Sequence, residues 1–242
     1  MRLCTLAASA GLALLASTLM TNAATIIIGS FDTEQYVEAR PRSGSVSSSE
    51  VQVATNQVGG YRYMSVTNNN NRSGGTSLSS YEGYLDFSNA ARTSGTGTVV
   101  WDGQGSTGIG GVDLTSNGTN DALFLDVVFA DANLTLTFSI RDTTGAISTL
   151  TKTVNETLEE PTTLSFLFSD FTGSANFALV DSITLILSGT GLALDATIDT
   201  VYAASTLPAA AEVPVPAAGW LLAGGVLALG AAKRRKRTAA NA

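Results

Sequence analysis

Twenty carboxylates and no histidine set the limits on what this chain can do chemically. Without imidazole there is no general base poised near neutral pH and no histidine-ligated metal. The single cysteine, Cys4, lies in an apolar N-terminal stretch, so the rest of the chain has neither thiol nor disulfide. Serine–histidine hydrolysis and thiolate metal chemistry are therefore excluded, whereas carboxylate-only chemistry is not. Glycoside hydrolysis by carboxylates needs two of them facing across a sugar at roughly 5–9 Å. Glu156, Glu159 and Glu160 share one loop that ends at Pro161, and they read as a solvated charged loop. The glycine-rich residues 108–111 lack the lysine and following helix of a phosphate loop. No catalytic constellation emerges, and the chain reads as a non-enzyme.

Aromatic side chains are the other candidates, because flat rings cover the apolar faces of sugars. Trp101, Tyr61, Tyr63, Tyr81 and Tyr84 lie in the middle of the chain. Aromatics in sheets mostly pack in the core or against strand neighbours. Trp101, between Val100 and Asp102, reads as structural, and Tyr61 and Tyr63 are taken as the glycan contacts.

These residues are carried by strands. Leu134, Leu136, Phe138 and Ile140 alternate with Thr135, Thr137, Ser139 and Arg141, the period of a half-buried strand. Leu192, Leu194, Ala196 and Ile198 repeat that pattern. The apolar runs at residues 122–130, 164–168 and 183–187 suit strands covered on both faces. Asp102-Gly103, Asn117-Gly118 and residues 142–145 and 188–191 supply turns. The stretch 43–80 reads as two outer strands around a polar loop. Short strands at this spacing predict an all-β, jelly-roll-like antiparallel β-sandwich over residues 24–205, with a linker at 206–212.

The two ends differ from this body. Arg2, an apolar stretch from Leu3 to Ala16 and small residues near Ala23 and Ala24 have the order of a secretory signal peptide over residues 1–23, cut at Ala23 or Ala24. At the other end, Pro214 and Pro216 precede an uncharged stretch from Ala217 to Ala232. As a helix it is about 24 Å long, a short span against roughly 30 Å of hydrocarbon. Trp220 at one interface and Lys233, Arg234, Arg235, Lys236 and Arg237 at the other frame a single C-terminal transmembrane helix, leaving 238–242 as a short cytoplasmic end. Between the ends, residues 25–212 hold all twenty acidic residues and seven basic ones, which argues against nucleic acid as a partner. Signal peptidase and the secretion machinery are the first partners this layout calls for.

The tail Val213, Pro214, Val215, Pro216, Ala217, then an apolar helix and a basic cluster, resembles the PEP-CTERM sorting signals of Gram-negative bacteria, most closely the VPLPA variant. Valine at the third position is a conservative departure. The resemblance covers about thirty residues plus the expected leader. It implies recognition and processing by an exosortase-type membrane enzyme, a transient single-pass anchor, then the cell surface or extracellular matrix in contact with exopolysaccharide. Residues 59–62, 100–103 and 111–114 resemble segments of exported proteins of that type, which look like the galactose-binding-like jelly rolls of carbohydrate-binding modules. Such modules often hold a structural calcium ion where first and last strands meet. Asp32 and Asp199 are the ligands this implies, since Asp195 and Asp199 lie about 13 Å apart along a strand and only one of them reaches. The leading expectation is a non-catalytic surface or matrix protein. The alternatives are a carbohydrate-binding module with calcium and a carboxylate-only glycan-active enzyme.

Overall fold

The computed structural model describes residues 24–40, 42, 44–53, 57–70 and 74–207. The leader with Ala23, the proline motif, Trp220 and the basic cluster lie outside the described residues. Within them the chain forms two seven-stranded antiparallel sheets. The first runs β11 (Thr162–Leu167), β8 (Ala122–Ala130), β14 (Asp195–Ala204), β6 (Tyr84–Asn89), β5 (Thr76–Tyr81), β2 (Gln35–Ala39), with β1 (Ile26–Gly29) also pairing β14. The second runs β12 (Thr172–Gly173), β10 (Ile147–Thr153), β9 (Leu134–Asp142), β13 (Val180–Gly189), β7 (Gly95–Trp101), β4 (Tyr61–Asn68), β3 (Val46–Gln52). No described helix is long and apolar enough to cross a membrane.

Alternation along the strands fills the space between the sheets. Leu134, Leu136, Phe138 and Ile140 of β9 are all buried, as are Leu78 of β5 and Leu85 and Phe87 of β6. Phe138 meets Phe166 of β11 edge-on, ring centroids 4.9 Å apart, joining the two layers. Gly97 of β7 admits the Phe87 ring, because a Cβ there would stand 2.9 Å from it.

Three expectations change. The apolar runs are not covered on both faces: Phe124, Asp126 and Val128 of β8, and Thr184 and Ile186 of β13, are only partly buried on the outer sides. A two-layer sandwich covers each strand once. The stretch 43–80 supplies three strands, and β4 is interior, paired with both β3 and β7. Leu192 is not part of the last strand; it is 56% exposed on the preceding turn. The alternation in β14 itself breaks at a bulge between Ile198 and Thr200, which turns Asp199 outward and returns Val201 to the core.

Candidate functional site

The outer side of the first sheet carries an exposed aromatic band. Val37, Leu78, Leu85 and Phe87 fix the inward phase of β2, β5 and β6, so Tyr36, Tyr81 and Tyr84 must face out. They are 59%, 55% and 43% exposed. Tyr81 lies directly opposite Tyr84, and Tyr36 lies opposite Ser79, one diagonal step from Tyr81. Diagonal neighbours of this kind are about 7–8 Å apart, and the band crosses about 10 Å of sheet. A two-residue turn closes the β5–β6 hairpin, with Glu82 at φ 49° and Gly83 at φ 88°. Positive φ at both positions is the type I′ geometry that matches strand twist, and glycine supplies the second at no steric cost.

Polar groups flank the rings. The Tyr36 hydroxyl donates to Glu38 Oε2 at 3.2 Å. On the row Tyr36–Ser79–Asp86–Thr197, the Thr197 hydroxyl donates to Asp86 Oδ1 at 2.7 Å. Further along, Phe124 stacks on Tyr202, centroids 5.2 Å apart, and Asp126 accepts from Thr163 at 2.6 Å. A hydrogen bond to Glu82 raises the Tyr81 phenol above its ordinary range, with burial and Glu34 adding to it. Burial first, then Glu38, raises Tyr36; burial, then Asp126, raises Tyr202. These phenols stay protonated and donate to the carboxylates beside them.

Residues 30–34, between β1 and β2, form a side wall that is held from beneath. Phe31, at φ 55°, is fully buried. The Ser80 hydroxyl lies 2.8 Å from both the Phe31 and the Thr33 carbonyls. Arg62, on the second sheet, points inward and is fully buried. Its Nη2 donates to Thr33 O at 2.7 Å, its Nε donates to Gln35 Oε1 at 2.9 Å, and its guanidinium lies 5.4 Å above the Phe31 ring. Burial lowers the Arg62 pKa to about 10, and Asp32 opposes that shift. The wall places Asp32 against the Gly83 turn, 3.7 Å from where a Cβ would stand.

The residues singled out from sequence separate in space. Trp101 is fully buried and tilted against Phe31. Tyr61 and Tyr63 are half-buried on the outer face of the second sheet, opposite Gln52 and Glu50. Tyr81 and Tyr84 join Tyr36, which sequence reasoning missed. The pattern Gln35-Tyr36-Val37-Glu38-Ala39 held the clue, since it sets Tyr36 and Glu38 against two apolar residues. First and last strands do pair, as β1 with β14, and Asp32 and Asp199 flank that junction. Calcium requires six to eight oxygens, but among the described residues no group of three or more acidic side chains converges. Glu156, Glu159 and Glu160 are exposed. A recess of about 280 Å³ near Asn133, Thr157 and Leu192 has Asp131 as its one lining carboxylate, where hydrolysis would need a facing pair.

No protein-family model matches the chain, and no curated protein does. Among solved structures, a family 11 carbohydrate-binding module from Clostridium thermocellum, in complex with a beta-1,3-1,4-mixed-linked tetrasaccharide, matches at 12% identity and TM-score 0.40. That match covers 76% of this chain and 96% of the other. PfGH50B matches at 12% identity and TM-score 0.40, over 60% of this chain and 22% of its own. An exo-beta-agarase matches at 11% identity and TM-score 0.41, over 60% of this chain and 23% of its own, so this chain spans less than a quarter of either.

Proposed function

We propose that this chain is a non-catalytic carbohydrate-binding module of jelly-roll type, exported and sorted to the cell envelope through Val213–Arg237. The observation that carries the binding reading is the band of Tyr36, Tyr81 and Tyr84. Three large rings exposed on one rigid sheet face leave apolar area uncovered, which a sugar's axial C–H face can cover. The neighbouring carboxylates and hydroxyls of Glu38, Ser79, Asp86 and Thr197 accept and donate to sugar hydroxyls. Export and sorting rest on the leader, the Val213-Pro214-Val215-Pro216-Ala217 motif and the basic cluster, with an exosortase-type enzyme as the processing partner. Contact with envelope exopolysaccharide is the role that unites the two.

Affinity electrophoresis of the full chain through gels containing different polysaccharides tests the binding reading. At least one glycan should retard the protein, and Tyr36→Ala with Tyr81→Ala should weaken retention about tenfold or more, since each stacked ring contributes about 0.5–1.5 kcal/mol beyond its area. Tyr61→Ala with Tyr63→Ala should leave it unchanged. Retention that follows the second pair would move the site to the other sheet, and retention by no glycan would reject the module reading.

A further inference from the structure

The charge on the tyrosine face is one-sided. All seven strands of the first sheet lack lysine and arginine, while Glu38, Asp86, Asp126, Asp195 and Asp199 lie on them. Of the cations among the described residues, Arg62 is sealed in the core, and Arg141 of β9 pairs with Asp181 of β13. The Lys152 ammonium of β10 donates to Ser165 O of the edge strand β11, at the opposite end of the sheet from β2, and Arg42 and Arg92 are exposed outside the strands. Arg40, just beyond β2, is the cation near enough to affect Tyr36. Asp86 and Asp126 each accept a threonine hydroxyl through one oxygen, and a carboxylate has room for further donors.

We infer that the face binds a polysaccharide of amino sugars carrying protonated amines, such as a partly N-deacetylated glucosamine chain. This inference rests on the carbohydrate-binding reading above and names its ligand class. An ammonium on the sugar ring meets both features at once, because tyrosine faces attract cations and the flanking carboxylates accept their N–H groups. A polymer of uronic acids would bring like charge onto this sheet and be repelled. Neutral chains would gain the stacking and the hydrogen bonds to their hydroxyls, without the ammonium contacts.

The test measures binding of the full chain to glucosamine oligomers, to the same oligomers fully N-acetylated, and to glucuronic acid polymers. Glucosamine oligomers should bind about tenfold more tightly than the acetylated ones, the size expected of several exposed ion pairs acting together. That advantage should shrink as salt is raised from about 0.05 to 0.5 M, because screening acts on surface charges. Asp126→Asn with Asp199→Asn, two carboxylates of this sheet not assigned to sugar hydroxyls, should shrink the advantage and leave binding of the acetylated oligomers unchanged. Equal binding of both oligomers, lost with Tyr36→Ala and Tyr81→Ala, would overturn the amine assignment and keep the module. Preference for the uronic acid polymer would overturn the amine assignment outright. No binding of any of these, with the protein shown folded by its circular dichroism, would overturn the amine assignment, and the module reading would fall with it only if no polysaccharide gel retards the chain either.

Discussion

A fully buried arginine with no carboxylate hydrogen-bonded to it is costly, and Arg62 shows what offsets that cost. Its charge is partly balanced by Asp32 and by the Phe31 ring, and two of its nitrogens are used on Thr33 O and Gln35 Oε1. Gln35 in turn donates to Ser49 O at 2.9 Å, so a chain of polar groups fastens β2 and the 30–34 wall to the second sheet. Arg62→Met roughly keeps the volume and removes the charge, but leaves Gln35 Oε1 without its donor and Thr33 O with the Ser80 hydroxyl alone, which it shares with Phe31 O. We expect a loss of about 1–3 kcal/mol, the usual cost of orphaned buried acceptors, and faster hydrogen exchange at residues 30–34 in particular. Unchanged exchange there, measured by mass spectrometry, would show that Arg62 does not hold the wall. The inward turn of Arg62 was legible in part, since it shares its phase with Met64 and Val66 on β4. What that charge reaches was not, because Thr33 and Gln35 come from the other sheet. Tyr36 escapes a reading of the sequence for the same reason: Tyr61 and Tyr63 share its outward phase, and only strand pairing shows which rings stand together.

Single residues also decide two of the turns on which the elements depend. At the β9–β10 turn, Thr144 donates to Asp142 Oδ1 through its hydroxyl at 2.6 Å and its amide at 2.8 Å, and Ala146 N adds 3.1 Å. Asp142 Oδ2 accepts Asn176 N at 2.9 Å, which ties this turn to the segment before β13. These bonds, the Thr144 hydroxyl first, lower the Asp142 carboxyl from 3.8 to about 2. Asp113 is lowered similarly, first by the Thr115 hydroxyl and then by Asn117 N. A carboxyl whose folded-state pKa is depressed stabilises the fold above its unfolded value and loses that contribution as pH falls through the folded value. The protein should therefore lose stability between about pH 4 and pH 2, and Asp142→Asn should flatten that slope in urea titrations. At the β5–β6 turn, Gly83→Ala forces an L-residue to φ 88°. It should cost about 1–2 kcal/mol and lower the thermal midpoint, with loss of glycan retention exceeding what instability explains. The Asp142-to-Gly145 turn was visible in sequence through its Asp and Gly, and the Glu82-Gly83 turn was not separated from its surroundings. The strand count over 43–80 falls short in sequence because β5 shows one apolar residue, Leu78, among serines, and because the serine-rich Val46–Gln52 is an edge strand, partly or fully exposed along its whole length, whose inward apolar signal begins only at Val51.

At the scale of the molecule, the two ends of the sandwich are tied together at one place. Asn120 Nδ2 donates to Ala24 O at 2.8 Å, Leu114 O at 3.2 Å and Ala203 O at 3.5 Å. Asp121 then accepts the Thr206 amide at 2.7 Å and its hydroxyl at 2.5 Å, fixing where the chain leaves β14. The row of Asp86 and Thr197 lies nine residues up the chain from Thr206, about 30 Å along an extended strand. The point where the chain leaves the sandwich thus lies well along β14 from the row that holds Tyr36, Asp86 and Thr197. The all-β class and most of the strands were legible because antiparallel strands write their burial locally, two residues at a time. The shared face of Tyr36, Tyr81 and Tyr84 was not, because it depends on pairing between strands. From this separation follows a prediction that joins sorting to binding. A chain ending at Glu212, without Val213–Arg237, keeps the Asn120 and Asp121 hydrogen bonds described above, so its thermal midpoint and its glycan retention should match those of the full chain. In cells it should be exported yet lost from the envelope into the medium, measured by fractionation and immunoblotting. Undiminished surface display of the shortened chain would reject the sorting assignment, and a fall in its midpoint would show that the terminal segment belongs to the folded body.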